Sequence, residues 1–380
     1  MAIGDGWTVS FFSARRGSWF DVQEDLQLTP VERPPGASVV WVVRPEAAAV
    51  VMPALSRLRP SPRVVYDSMD LHHLRLGRES RVTGSRGLAL QARLMRRLER
   101  QACSRADVAV AISDREALLL RELAGGAEIA VLPNVHEPRA DGAPPLADRS
   151  GLLFVGNFSH TPNLDAVQVL ARDVMPRVWR RQPELVLSVA GRGLEPGEFD
   201  PRIRVLGFVD DLDALIDRSA ALVAPLRFGA GLKGKIGYAL ARGLPVVTTE
   251  IGAEGFAEPA GIVAVRDDDW DAFGERTLEL LASPDLWARA SAQGIELTRR
   301  EYSPAALSQR LQTVLEPSAV PAEPLPAPRP QPSDRSGSRR FGTAQARVAA
   351  TALLVVTLLI LVFAALPEAL GDRPYNAFGH

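Results

Sequence analysis

Short apolar runs recur along the first third of the chain: "WTVSFF" from Trp7, then "SVVWVV", "RVVYD", "DVAVAIS" and "IAVLPN". Each is too short for a helix and rich in β-branched residues. Between them lie stretches with helical spacing, notably "LALQARLMRRLERQACSRA". Runs that are apolar throughout, rather than alternating, belong to strands covered on both faces, so residues 1–146 are expected to form a parallel sheet clad in helices. The Pro-, Ala- and Asp-rich "HEPRADGAPPLADRSG" reads as an interdomain linker. The rhythm then restarts with "GLLFVGNF", "ELVLSVAG", "IRVLGFV", "AALVAPL", "LPVVTT" and "GIVAV", which predicts a second open α/β domain over 147–298. In "SPAALSQRLQTVLE", Ser303 stands at an N-cap and Pro304 at the first helical position, so a closing helix is expected over 299–316.

Beyond Glu316 the texture changes. Prolines at 317, 321, 324, 326, 328, 330 and 332 exclude helix and sheet and make 317–347 an extended spacer. Residues 348–366 carry no charge. At ~1.5 Å per residue such a segment matches the ~30 Å hydrocarbon core of a bilayer, so a transmembrane helix is expected there, followed by a short tail, 367–380. Arg335, Arg339, Arg340 and Arg347 precede the segment, whereas Glu368, Asp372 and Arg373 follow it. The positive-inside rule then places the body in the cytoplasm, tethered to the inner or plasma membrane by a single pass. The opening residues hold no apolar run of signal-peptide length, which agrees with a body that stays in the cytosol.

Charge narrows the function. Lys plus Arg total 44 against 45 Asp plus Glu, a net charge of −1, so no bulk basic excess points to nucleic acid. The single cysteine, Cys103, excludes an intramolecular disulfide and a cysteine-rich metal site and is expected in the core. Among the 44 cations only Lys233 and Lys235 are lysines, both within "PLRFGAGLKGKIGYALARGLPVV". A compact ammonium on a flexible stem reaches what a planar guanidinium cannot. Gly229 to Lys235 has the spacing of a P-loop, but Ile236 stands where a hydroxyl must hold magnesium. The same glycines read as G-x-G-x-x-G, yet they follow a late strand, not the first strand of a dinucleotide fold. What fits is a strand ending at Pro225 and Leu226, a loop with Gly229 and Gly231, and a helix whose N-terminus meets Arg227, Lys233 and Lys235. Such an arrangement seats a diphosphate. The D-x-D at Asp267 to Asp269 reads as a helix start, and no histidine stands at metal-ligand spacing.

"FVGNFSHTPNLDAVQVLARDVMPRVWRRQPELVLSVAGRG", "VLGFVDDLDALIDRSAALVAPLRFGAGLKGKI" and "ALARGLPVVTTEIGAEG" resemble the donor-binding half of GT-B glycosyltransferases of the retaining family 4 type, the glycosyl transferases group 1. "VVYDSMDLHHLRLGRES", "RADVAVAISDRE" and "VLPN" resemble the acceptor-side half, in the same order. The resemblance implies two Rossmann-like domains facing a cleft, and transfer of a sugar from a UDP- or GDP-linked donor to a lipid-linked or polysaccharide acceptor. It implies neither metal nor other cofactor. Carried over by motif, Arg227, Lys233 and Lys235 would serve the diphosphate together with the loop glycines Gly229 and Gly231, and Gly156 and Asn157 would line its other side. Gly252, Ala253, Glu254 and Gly255 would meet the nucleoside or sugar, and Asp70 and His72 the acceptor side, with capping of a helix as the alternative for Asp70.

Two departures stand out. Tyr238 occupies the place of a glutamate that takes the ribose hydroxyls in the family; a phenol offers fewer and weaker hydrogen bonds than a carboxylate. The N-terminal domain also lacks its first βα unit, unless the start lies upstream. These two features support the rival expectation of a degenerate module that binds nucleotide or glycan, or scaffolds polysaccharide assembly, without turnover. A nucleotide-sugar epimerase is a third, more distant reading.

Overall fold

The structure, a computed structural model, describes residues 10–13, 18–22, 28–31, 39–55, 62–195, 197 and 199–315. Three short strands come first: β1 (Ser10–Ser13), β2 (Ser18–Val22) and β3 (Leu28–Val31), paired antiparallel in that order. The expectation that "WTVSFF" opens the parallel sheet is therefore corrected: its described part lies in β1, where Phe11 pairs with Phe20 and Phe12 with Trp19. Only residues 14–17 separate β1 from β2, and a parallel crossover needs about a dozen residues or more, so the chain must return antiparallel.

The first parallel sheet consists of β4 (Val39–Val43), β5 (Arg63–Asp67), β6 (Val108–Ala111) and β7 (Glu128–Val131), side by side in chain order. Its connections carry α1 (Pro45–Leu55), the hairpin of α2 (His72–Thr83) and α3 (Arg86–Cys103), and α4 (Asp114–Ala124). The boundaries follow from capping. Ser85 and Ser113 accept N-cap hydrogen bonds from Leu88 and Glu116, while Gly84 and Gly125 end α2 and α4 in the left-handed conformation. One face of the sheet buries Val42, Tyr66 and Ala109 against Leu71, Leu120 and Cys103. Burial pushes the Cys103 thiol up to about 12, as befits an inert core residue.

The second sheet is wholly parallel and six-stranded, in the order β10-β9-β8-β11-β12-β13. Its strands are β8 (Leu152–Val155), β9 (Leu187–Ala190), β10 (Ile203–Gly207), β11 (Ala221–Ala224), β12 (Val246–Thr249) and β13 (Ile262–Val265). Helices α5 (Thr161–Val169), α6 (Met175–Trp179), α7 (Leu212–Arg218), α8 (Gly234–Ala241), α9 (Glu250–Ala253), α10 (Trp270–Ala282) and α11 (Pro284–Leu297) cover both faces. Phe154, Val223, Val247, Phe273 and Trp287 pack on one side, Leu153, Leu222, Ile236, Leu240 and Val246 on the other. Between α5 and α6 the helix widens into a π turn over Leu170–Val174. Pro176 follows at once, and because it has no N–H and its ring clashes with the preceding turn, a wider turn accommodates it.

A last helix, α12 (Pro304–Leu315), starts where the Ser-Pro signal puts it, with Ser303 Oγ accepting from Ala306 N at 3.2 Å. It returns to the first sheet: Val314 joins Val65, Val108 and Val110, and Arg63 Nε donates to the Val314 carbonyl at 3.1 Å. The spacer 317–347, the apolar segment 348–366 and the tail 367–380 lie outside the described residues; among those described, no helix is long and apolar enough to cross a membrane.

Candidate functional site

Strand order positions the site. After β8 the chain builds β9 and β10 on one side, then crosses back to lay β11 on the other. The loops leaving β8 and β11 therefore diverge, and a crevice opens at the carboxyl ends of these two neighbours, the usual binding place in an open α/β sheet. Gly156 and Asn157 lie in the first loop, and Arg227, Gly229, Gly231 and Lys233 in the second, which runs into the N-terminus of α8.

Asn163, one turn into α5, ties the two loops together. Its Nδ2 donates to the Asn157 carbonyl at 2.7 Å, and its Oδ1 accepts from Lys235 Nζ. A side chain on Gly156 would put its Cβ 2.8 Å from Asn163 Cγ, so glycine is needed for this contact. The Lys235 ammonium also lies 4.3 Å from the centre of the Phe154 ring. Among the described residues no carboxylate pairs with it. Burial lowers its pKa to about 7. A cation in the first turn of a helix and the N–H groups opening that helix both favour an anion.

The first sheet closes over the second loop. Arg78 of α2 donates to both Glu254 oxygens, at 2.5 and 3.0 Å, and to the Gly229 carbonyl at 2.7 Å. Arg115 reaches the same carboxylate at 2.7 Å. Burial pushes the Glu254 carboxyl up, but Arg78, Lys233 and Arg115 outweigh it and hold it below the usual range. Glu116 of α4 accepts from Gly231 N at 2.8 Å and Leu71 N at 3.4 Å, and its second oxygen is buried without a partner. Burial and the charge of Asp70 raise its pKa to about 7, against those two hydrogen bonds. Gly231 takes a left-handed φ of 68°, and a Cβ there would meet that of Asp70 at 3.0 Å. Lys233 Nζ is buried and donates to the Gly231 carbonyl at 2.7 Å. Burial brings it down to about 8, with Glu254 opposing.

The other expected residues fall around this centre. Asp70 caps no helix: the N-cap of α2 is Leu71, and Asp70 Oδ1 instead meets His72 Nε2 at 2.8 Å. Burial pulls the His72 imidazole down, but hydrogen bonds to Asp70 and Glu46 outweigh it and raise it to about 9, so it is an imidazolium at neutral pH. Arg227 is engaged in a two-pronged pair with Asp165 of α5. Gly252 and Ala253 lie in α9, whose cap Thr249 accepts from Gly252 N at 3.1 Å, and Gly255 packs against Ser113 from the first sheet. Tyr238 turns to α7, where its hydroxyl donates to Asp213 Oδ1 at 2.5 Å while Arg242 holds the other oxygen at 2.6 Å. Asp269 caps α10 through Ala272 N at 3.1 Å, as a helix start does.

Sequence reasoning passed over Arg78, Glu116 and Asn163. A signal existed for Glu116, since Ser113-x-x-Glu116 has the form of a capping box. In such a box the carboxylate turns back to its own helix; here Ser113 does its part, but Glu116 reaches across to Gly231.

Residues 149–283 match the family model described as Glycosyl transferases group 1. No curated protein matches the chain in sequence. Solved structures of similar fold include sucrose-phosphate synthase from Thermosynechococcus elongatus, with a TM-score of 0.58 and 16% identity over 73% of this chain and 72% of that one. HepE from Anabaena, solved with UDP, has a TM-score of 0.59 and 13% identity over 73% of this chain and 78% of its own. The UDP-forming α,α-trehalose-phosphate synthase of Burkholderia xenovorans has a TM-score of 0.53 and 13% identity, with 73% of each chain covered. Residues 149–283 are thus similar to the glycosyl transferases group 1, in a chain whose two parallel sheets share the fold of GT-B glycosyltransferases.

Proposed function

We propose that the protein transfers a sugar from a UDP- or GDP-linked diphosphosugar to a lipid-linked or polysaccharide acceptor at the inner membrane face, with retention at the anomeric carbon and without a metal. Lys235 carries this reading. It is a cation with no carboxylate partner among the described residues, it stands in the first turn of α8, and it lies at the switch point of the parallel sheet. When the bond from sugar to diphosphate breaks, negative charge grows on the leaving oxygen. A fixed ammonium and the N–H groups opening α8 stabilise that charge without reorganising. Arg227 and Lys233 join the diphosphate by exchanging their present partners, Asp165 and the Gly231 carbonyl. The imidazolium of His72 beside Asp70 faces the acceptor.

Thermal melts of the protein with UDP, GDP, ADP and their sugar conjugates test this. A ligand at about 100 times its Kd stabilises by ~2.7 kcal/mol, a rise of a few degrees for a body of this size. One base is expected to raise the midpoint, and Lys235→Met to abolish that rise. If no nucleotide shifts a folded sample, the donor site is absent and the proposal fails.

The second reading, a binding or scaffold module without turnover, draws on two contacts: Tyr238 is tied to Asp213, and the Gly231 amide is already taken by Glu116. Nucleotide binding without any release of nucleoside diphosphate from the sugar donor, in the presence of acceptor lipid extracts, would select it.

A further inference from the structure

Helix α3 carries five arginines, Arg86, Arg93, Arg96, Arg97 and Arg100, all exposed. None forms an ion pair among the described residues, although arginines on other helices, such as Arg177, Arg276 and Arg300, do. The only acid of the helix, Glu99, is fully buried and bonded to His73. Leu90 and Leu94 stand beside the arginines, 59% and 45% exposed. At about 100° per residue, these seven side chains fall within an arc of about 160°. In a chain whose charges otherwise balance, 44 against 45, this is charge segregation onto one face, with an apolar edge.

We propose that this face docks α3 flat onto the surface of an anionic lipid bilayer. Guanidinium groups meet lipid phosphates in pairs of hydrogen bonds, and an apolar edge sinks between headgroups. A basic helix with leucines along one side combines both. Nucleic acid fits less well, because α3 offers no aromatic side chain for bases to stack on and the leucines would have no partner there. The charge-free stretch 348–366, expected from the sequence to cross a bilayer, would bring such a surface within reach. The docked face lies on α3 and does not depend on sugar transfer. It does bear on the site: α2 packs along α3 and carries Arg78, which grips Gly229 and Glu254.

A local probe separates this contact from any insertion of the apolar stretch. Leu90→Cys in the full chain takes an environment-sensitive fluorophore, since the native Cys103 is buried. In phosphatidylcholine vesicles containing phosphatidylglycerol, its emission is expected to shift to the blue and to be quenched by brominated acyl chains; in phosphatidylcholine alone it should not. Adding Arg93→Glu, Arg96→Glu, Arg97→Glu and Arg100→Glu should weaken the response on the order of a hundredfold or more in lipid concentration. Leu94→Asp, a single exposed change, should weaken it as well and guards against a multiple variant that fails to fold. A label at Leu118, exposed on α4, should stay silent. Equal signals in neutral vesicles, at Leu118 or in the charge-reversed protein would overturn the proposal, as would the same blue shift with single-stranded RNA in place of lipid.

Discussion

In the proposed function, Lys235 couples donor binding, stability and pH through one proton. Its pKa of about 7 in the folded protein lies below the ~10.4 of an unfolded lysine, so between these values the unfolded chain holds the extra proton and stability rises with pH. A diphosphate needs the charged form, so donor affinity should fall as pH rises above about 7, by up to tenfold per unit. Calorimetric titrations of UDP and GDP at pH 6.5 and 8.5 would register that fall, and a flat profile would refute it. Lys235→Met should have opposite effects on the two properties: a higher melting temperature without ligand, and no stabilisation by nucleotide. Tyr238 offers a second case. Its hydroxyl bonds Asp213, so Tyr238→Phe should cost about 0.5–1.5 kcal/mol. A glutamate placed there alone would face the Asp213 carboxylate; Tyr238→Glu combined with Asp213→Asn removes that repulsion and should tighten nucleotide binding about tenfold or more.

Helices and strands formed largely where apolar spacing and end signals required. The Ser303-Pro304 start of α12 needed no tertiary information, yet where α12 would dock was not written in its own residues. Ser303→Ala removes the cap to Ala306 and should lower stability by about 1 kcal/mol, read as a lower urea midpoint at unchanged slope. Strand partners were less legible than strands. Val223 and Val247 look alike as apolar residues, and only the order of crossovers puts β8 beside β11 and so creates the crevice. The antiparallel β1 and β2 could have been read from their short connection, since four residues permit no crossover.

The two sheets meet through buried charge. Arg78 and Glu254 come from opposite sides of the site and are both largely buried, so Arg78→Ala leaves the carboxylate with Lys233 and the exposed Arg115. Breaking such a pair should cost about 3 kcal/mol, and small-angle scattering should show a larger radius of gyration as the halves part. Glu116 contributes with a different pH signature. Its folded pKa of about 7 lies above the ~4.3 of a free glutamate, so the folded state holds the proton longer and stability falls as pH rises from about 4.5 to 7. Glu116→Gln keeps an acceptor for Gly231 N and should flatten that fall in denaturation curves across this range; an unchanged slope would assign the titration elsewhere.

Apolar runs, glycines, caps and two isolated lysines are properties of short windows, because β-branching, missing side chains and end hydrogen bonds act within a few residues. They sufficed to write two parallel α/β sheets and a glycine loop that runs into the start of α8 from the amino-acid order. Which cation stays free is not such a property. Lys233, Arg227 and Lys235 are cations of one short window, but residues from other elements make them differ: Asp165 takes Arg227, Arg78 and Glu254 shape the pocket of Lys233, and Lys235 meets Asn163 and an aromatic ring. Electrostatic energy depends on distance in space and on burial, and both exist only once the sheets have closed on each other.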